Sequence, residues 1–258
     1  MKLTHHLGAA ATGLRTGLNS YRSQVVMRQA DPGLRPALDA AEGVEGYTSE
    51  LELSLLYHLA RAATGPGRVV EIGSYLGRST IVLARAAIDD GREPVVAVDP
   101  HTSALGYEEE QEVDTRDQFL DNVRRAGVAD HVDLRHMTSV EAAGQWSGEP
   151  IRLHFVDGWH TREAVLEDVR SWSRWFGDRC CVVFDDYLQL GGVREGVDEL
   201  AAAGEVGPVK LIVGKMAAFG PGEILRQIPA PPGARTLSRV NKRMLDLAVR
   251  TLAPERQS

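Results

Sequence analysis

Arg68-Val69-Val70-Glu71-Ile72-Gly73-Ser74-Tyr75-Leu76-Gly77-Arg78-Ser79 is the stretch that decides the fold. An apolar, β-branched run closes on an acid and a glycine, a short turn follows, and an apolar helical pattern begins near residue 78. Strand, tight turn and helix make the first half of a βαβ unit. The pattern then repeats: apolar runs at 94–99, 131–137, 150–157 and 179–185 alternate with helical stretches near 78–89, 115–126, 161–175 and 192–203. Alternation of this kind predicts right-handed crossovers and an α/β fold, a Rossmann-like, doubly wound and mostly parallel sheet. After residue 207 the rhythm breaks. Val209–Val213 and Met216–Phe219 leave no room for a helix between them, which predicts an antiparallel edge hairpin and a seven-stranded sheet.

Outside this core the pattern is helical. Leu3, Leu7, Leu14, Leu18, Tyr21 and Val25 predict an amphipathic helix over 3–26 that Asp31-Pro32 stops. A Gly/Pro/Ala-rich link leads to a second helix with Leu51, Leu55, Leu56 and Leu59 on its apolar face, closed by Gly65-Pro66-Gly67. Pro229, Pro231 and Pro232 form a stiff linker before a basic amphipathic helix over about 236–252. The expected organisation is therefore a helical segment 1–64, a ligand-binding core 65–228, and a linker with a C-terminal helix 229–258. The terminal helices suit either packing on their own sheet or contacts in a homo-oligomer.

The bulk composition narrows the function. With 43% apolar and 25% charged residues the chain is an ordinary globular protein. A formal net charge of −7 leaves no global basic surface for a phosphate backbone, which disfavours nucleic acid. Cys180 and Cys181 are adjacent and cannot build a disulfide framework, so they read as buried thiols in a reducing compartment. His5, His6, Thr12 and Arg15 interrupt any apolar run at the N-terminus. That argues against a signal peptide or a membrane anchor, and a cytoplasmic location is expected.

The turn Gly73-x-x-x-Gly77 is not the G-x-G-x-x-G fingerprint that cradles a pyrophosphate. Glu71 would repel a phosphate and attract an ammonium group, and Asp99, closing Val95–Val98, is placed to accept ribose hydroxyls. A ligand with ribose hydroxyls and an amino group but no phosphate is S-adenosyl-L-methionine. The alternative is a turn that only turns, with Asp99 as a helix cap.

Further acids close two more strands: Asp157 after Ile151–Val156, and Asp185-Asp186 after Cys181–Phe184. Ligands of open α/β sheets bind outside the carboxyl ends of the strands. Three carboxylates there need a cation or shifted pKa values, and Mg²⁺ would resolve the repulsion. His160, three residues after Asp157, is the candidate proton acceptor. Against this stand helix capping for the acids and a solvated loop position for the histidine. His154 alternates with apolar neighbours in a strand and reads as a satisfied polar group. The segment His101–Asp114, with its Glu108-Glu109-Glu110 run, is either a lid over substrate or a solvated acidic loop.

Taken together, Glu71-x-Gly73-x-Tyr75-x-Gly77-x-Ser79, the Asp157-x-x-His160 pair and Asp185-Asp186, which follow Asp157 by 28 positions, resemble the class I cation-dependent O-methyltransferases. Catechol-type members have Lys in place of His160 and Asn in place of Asp186. The Asp-x-x-His and Asp-Asp combination is closer to the bacterial macrolide and sugar O-methyltransferases of antibiotic biosynthesis. The resemblance spans about residues 46–226. It implies that Thr48, Glu71, Gly73 and Ser79 hold the methionine part of the cofactor, that Asp99 binds its ribose, and that Ser139 and Trp159 flank its adenine. It further implies that Asp157, Asp185 and Asp186 bind Mg²⁺, that His160 is the general base, and that the acceptor is a small molecule with a sugar or phenolic hydroxyl. An NAD-dependent oxidoreductase and a catalytically inactive cofactor-binding assembly partner are the rival readings.

Overall fold

The Val- and Ile-rich runs lie side by side as a single sheet because both faces of the sheet are covered, so each strand can be apolar throughout. The structure, a computed structural model, describes residues 31–102, 113–229 and 235–239. Its strands are β1 (Arg68–Ile72), β2 (Val95–Val98), β3 (Val132–Arg135), β4 (Ile151–Val156), β5 (Phe176–Phe184), β6 (Val209–Val213), β7 (Met216–Gly220) and β8 (Arg235–Arg239). Their order across the sheet is β3-β2-β1-β4-β5-β7-β6-β8. The first five strands pair in parallel, while β7, β6 and β8 pair antiparallel at one edge. The order reverses between β1 and β4, the switch point at which such sheets open a ligand crevice.

The helices are α1 (Leu34–Ala40), α2 (Glu50–Ala62), α3 (Arg78–Asp89), α4 (Arg116–Arg125), α5 (Ser139–Gly144), α6 (Arg162–Trp172), α7 (Gly191–Ala203) and the short α8 (Gly222–Leu225). On one face of the sheet, Val69, Phe155 and Val183 pack under Leu56, Leu59 and Ile81 of α2 and α3. On the other, Val182, Phe184 and Phe219 meet Val169 and Val197 of α6 and α7, and Val70, Ile72 and Val96 meet Trp172. Adjacent residues of one strand therefore serve opposite layers. Ser49 caps α2 in a reciprocal box with Glu52, and the buried guanidinium of Arg152 in β4 donates to the carbonyls of Ala60, Ala63 and Gly67 at its other end.

Four details differ from the expectations above. The sheet has eight described strands rather than seven, because Arg235–Arg239 pairs with β6 from Val209↔Arg239 to Val213↔Arg235. The helix expected from residue 236 is therefore a strand at its start, and residues 240–258 lie outside the described residues. An edge strand presents a row of unpaired backbone groups, and pairing there outweighs a short helical period. The link before α2 contains helix α1, whose Leu34, Ala37 and Leu38 are buried against α2 and α3. His154 is fully buried between Trp172 and Phe176, with neither ring nitrogen hydrogen-bonded among the described residues, so burial lowers its pKa to about 3 and keeps it neutral. The helix expected over 3–26, and residues 103–112 of the expected lid, lie outside the described residues.

Candidate active site

The strand ends are aligned by the backbone itself. The amide of Gly73 donates to Val98 O at 2.9 Å, Asp157 N to Ile72 O at 2.8 Å, and Asp185 N to Val156 O at 3.0 Å. The sheet ladder thus runs one residue past the strands and brings the glycine turn and the acids of β4 and β5 to one edge. Gly73 has φ +83°, and a Cβ at this position would collide with the carbonyl of Asp157. Glycine is required here because the backbone leaving β1 approaches the backbone leaving β4 closely at a positive φ.

A cavity of about 960 Å³ opens over this edge. Thr48, Gly73, Ser79, Asp99, Ser139, Asp157, Trp159, His160, Asp185 and Asp186 all line it. Of the residues singled out in the sequence, Glu71 alone does not reach the cavity. It is fully buried beneath the turn, where Oε2 accepts from the Thr80 hydroxyl and Oε1 has no hydrogen bond among the described residues. Burial pushes its pKa up to about 7, with the Ser79 and Thr80 hydroxyls pulling the other way.

Asp99 caps no helix. Its Oδ2 accepts from Ser74 N at 2.7 Å and Tyr75 N at 2.8 Å, and its Oδ1 from His101 N at 2.6 Å. The carboxylate fixes the glycine turn while still facing the cavity. Ser139 accepts from Trp172 Nε1 at 3.0 Å, and the neighbouring Asp168, buried at the same wall, is raised to about 7 by burial.

In the same cavity, one ligand atom from each of Asp157, His160 and Asp186 lies within 4.8 Å of the other two, with His160 Nε2 at 3.3 Å from Asp186 Oδ2. Asp185 instead turns one oxygen to the ammonium of Lys215, and its Oδ1 has no hydrogen bond among the described residues. Burial foremost, and the nearby Asp185 next, hold the Asp157 carboxyl well above the ordinary range. Asp185 itself is raised to about 6 by burial, against the pull of Lys215. Neither Asp185 nor Asp186 caps the following helix, since the N-cap of α7 is Leu190 with no side-chain bond.

Comparison with known proteins agrees with this geometry. Residues 70–187 match the family model described as a methyltransferase domain. The chain is 29% identical over 175 residues to a catechol O-methyltransferase of Mycobacterium tuberculosis, covering 67% of this chain and 72% of that protein. Over this span the chain is similar to the class I S-adenosylmethionine-dependent O-methyltransferases. The cofactor-bound structure of Rv0187 from MTB superposes with a TM-score of 0.53 at 25% identity, covering 73% of this chain and 88% of that one. The fold is also that of TomG from Streptomyces achromogenes, an O-methyltransferase involved in tomaymycin synthesis and solved with SAM. There the TM-score is 0.51 at 23% identity, with 74% of this chain and 91% of that one covered.

Three residues of the site escaped the sequence reading. Arg78, inside the quoted motif, donates to Val44 O at 2.7 Å and Thr48 O at 3.1 Å, holding the segment before α2 over the cavity. Glu52 reads as half of a capping box, yet its second oxygen also accepts from Lys215 N at 2.8 Å. Lys215 sits in a hairpin turn remote from every motif. Only its place beside Met216, at the tip of the predicted hairpin, could have flagged it.

Proposed function

We propose that the protein transfers the methyl group of S-adenosylmethionine to a hydroxyl of a small natural product, a sugar hydroxyl in the first instance, with His160 as the general base. The observation that carries this reading is the convergence of His160, Asp157 and Asp186 in a cavity that the glycine turn also lines. Among the described residues, nine acidic side chains line the cavity, three of them (Asp157, Asp168 and Asp185) with raised pKa values, against the fixed cations of Arg78 and Lys215, and Arg78 is engaged by carbonyls. Such a field favours a sulfonium cofactor bearing an ammonium group and opposes the pyrophosphate of a nicotinamide dinucleotide. A carboxylate–imidazole set open to the cavity also argues for chemistry rather than for an inactive partner.

Neutral imidazole has an unperturbed pKa of about 6.5 and suits proton removal near neutrality. In the proposed reaction the hydroxyl proton passes to His160, and Asp186, 3.3 Å away, stabilises the resulting imidazolium. The acceptor oxygen attacks the methyl carbon in line, the carbon–sulfur bond breaks with its electron pair left on sulfur, and S-adenosylhomocysteine forms. Burial of both reactants in one cavity supplies orientation and excludes water. The paired oxygens of Asp157 and Asp186 fit a hard divalent cation such as Mg²⁺, with Asp185 beside them. When bound, that cation holds and acidifies the acceptor hydroxyl.

Calorimetric titration of S-adenosylhomocysteine in Mg²⁺ and in excess EDTA tests the cofactor. One saturable site is expected in Mg²⁺, and absence of binding in both buffers overturns the reading. Replacing His160 by Ala is expected to lower kcat about 10²–10⁴-fold with S-adenosylhomocysteine affinity retained. Full activity of that variant on an identified acceptor removes His160 as the base.

A further inference from the structure

Lys215 lies between Gly214 and Met216 in the turn joining β6 to β7. Gly214 has φ +60°, and a side chain at 214 would collide with the Glu52 carboxylate. The turn is anchored on both sides: Lys215 N donates to Glu52 Oε1 at 2.8 Å, and Lys215 O accepts from Leu188 N at 3.1 Å. With its backbone fixed this way, the lysine side chain runs inward and is 8% exposed. Its Nζ lies 2.7 Å from Asp185 Oδ2 and 2.8 Å from Asp186 Oδ1.

We propose that Lys215 is a resident counter-cation of the Asp185–Asp186 pair, which keeps the acceptor end of the site assembled without metal and weakens its hold on a divalent cation. The inference rests on the proposed metal site and assigns a positioning role within it. The Asp157, Asp185 and Asp186 carboxylates would present three negative charges to a dication; a fixed ammonium bonded to two of them leaves a net of two. The same ammonium takes one oxygen of Asp185 and one of Asp186 out of the ligand set. A positive charge in ion-pair contact with the ligands also repels an arriving dication directly, and burial strengthens that repulsion. Asp157, His160 and Asp186 still bring one ligand atom each within 4.8 Å of one another, so a cation can still bind at the cavity face. Because the lysine backbone is tied to Glu52, a residue of the cavity wall, the cluster is positioned by the fold rather than by the metal.

The test is binding of Mn²⁺ alone to the full chain, read by electron paramagnetic resonance and by thermal unfolding, in the wild type and in Lys215→Met, Lys215→Gln and Lys215→Arg. In the wild type, EDTA is expected to move Tm by less than about 1 °C. Lys215→Met and Lys215→Gln are expected to bind Mn²⁺ at least about tenfold more tightly and to gain stability from it, while Lys215→Arg, which keeps the charge, stays at the wild-type affinity. Unchanged or weaker Mn²⁺ binding in the neutral variants overturns the proposal. So does a wild type that binds Mn²⁺ below about 1 μM and loses stability in EDTA, an arm that needs no variant to fold. S-adenosylhomocysteine titrated into the same samples separates the two failures. If it does not bind the wild type, the methyltransfer reading fails; if it binds while Mn²⁺ affinity ignores residue 215, only the role of Lys215 fails.

Discussion

The two regions of the cavity proposed above as its cofactor end and its acceptor end are built by different forces. At the cofactor end, a carboxylate is held by neutral backbone donors: Asp99 accepts from Ser74, Tyr75 and His101, and Arg78 pins the opposite wall through carbonyl oxygens. At the acceptor end, carboxylates are held by a charge, the Lys215 ammonium between Asp185 and Asp186. Hydrogen bonds from backbone amides fix one geometry and need only the acceptor to keep its charge. Paired charges fix a geometry only while both partners keep their charge, and they respond to any other cation that arrives. The contrast suits the proposed division of labour. A cofactor site must present one shape in every turnover, whereas an acceptor site must bind a hydroxyl, take its proton and release an ether.

The largest expected effect comes from a substitution that damages both ends together. Gly73→Ala puts a Cβ against the Asp157 carbonyl at a positive φ, and a loss of about 4 kcal/mol or more is expected by urea denaturation. A mild effect would mean that the two strand ends can separate, and that the ends of the cavity are not mechanically joined.

Next comes the pH response of the buried acid that has no cation. Glu71 is raised to about 7 in the folded chain, so its protonated form is favoured by folding. Its contribution to stability is complete below the unfolded carboxyl pKa and is lost as pH rises through about 7. Between pH 5 and 8 the wild type should therefore lose up to about 3 kcal/mol that Glu71→Gln does not lose. Parallel Tm–pH curves for the two proteins would refute this. Asp185 is raised to about 6 by burial, which Lys215 opposes.

The smallest effect should be confined to the cofactor end. Asp99→Asn turns an N–H₂ toward at least one of the three backbone amides, costing about 2 kcal/mol and weakening S-adenosylhomocysteine binding about tenfold or more. Mn²⁺ binding should not change. If it does, the two ends are coupled through the turn rather than built separately.

How much of this was legible beforehand follows the same division. The strand runs, the glycine turn, Asp99, Asp157 and the Asp185-Asp186 pair each announce themselves within a few residues, because strand-end acids and tight turns have local signatures. Glu71 was legible as a residue but not as a position. Nothing local says that its side chain faces Thr80 under the turn rather than the cavity. The C-terminal edge was misread because Arg235–Arg239 satisfies a short helical period and an edge strand equally well.

The amino-acid sequence by itself determined the alternation of strands and helices, the carboxyl edge on which the acids gather, and a glycine at the switch point. Those properties follow from side-chain period and backbone sterics, which act over a handful of residues. Only the tertiary structure decided that Lys215 meets Asp185 and Asp186, and that Glu52, 163 positions away from it, fixes the turn that aims it. A buried charge finds its partner through the packing of the whole chain, and its bare position in a hairpin turn carries no trace of that partner.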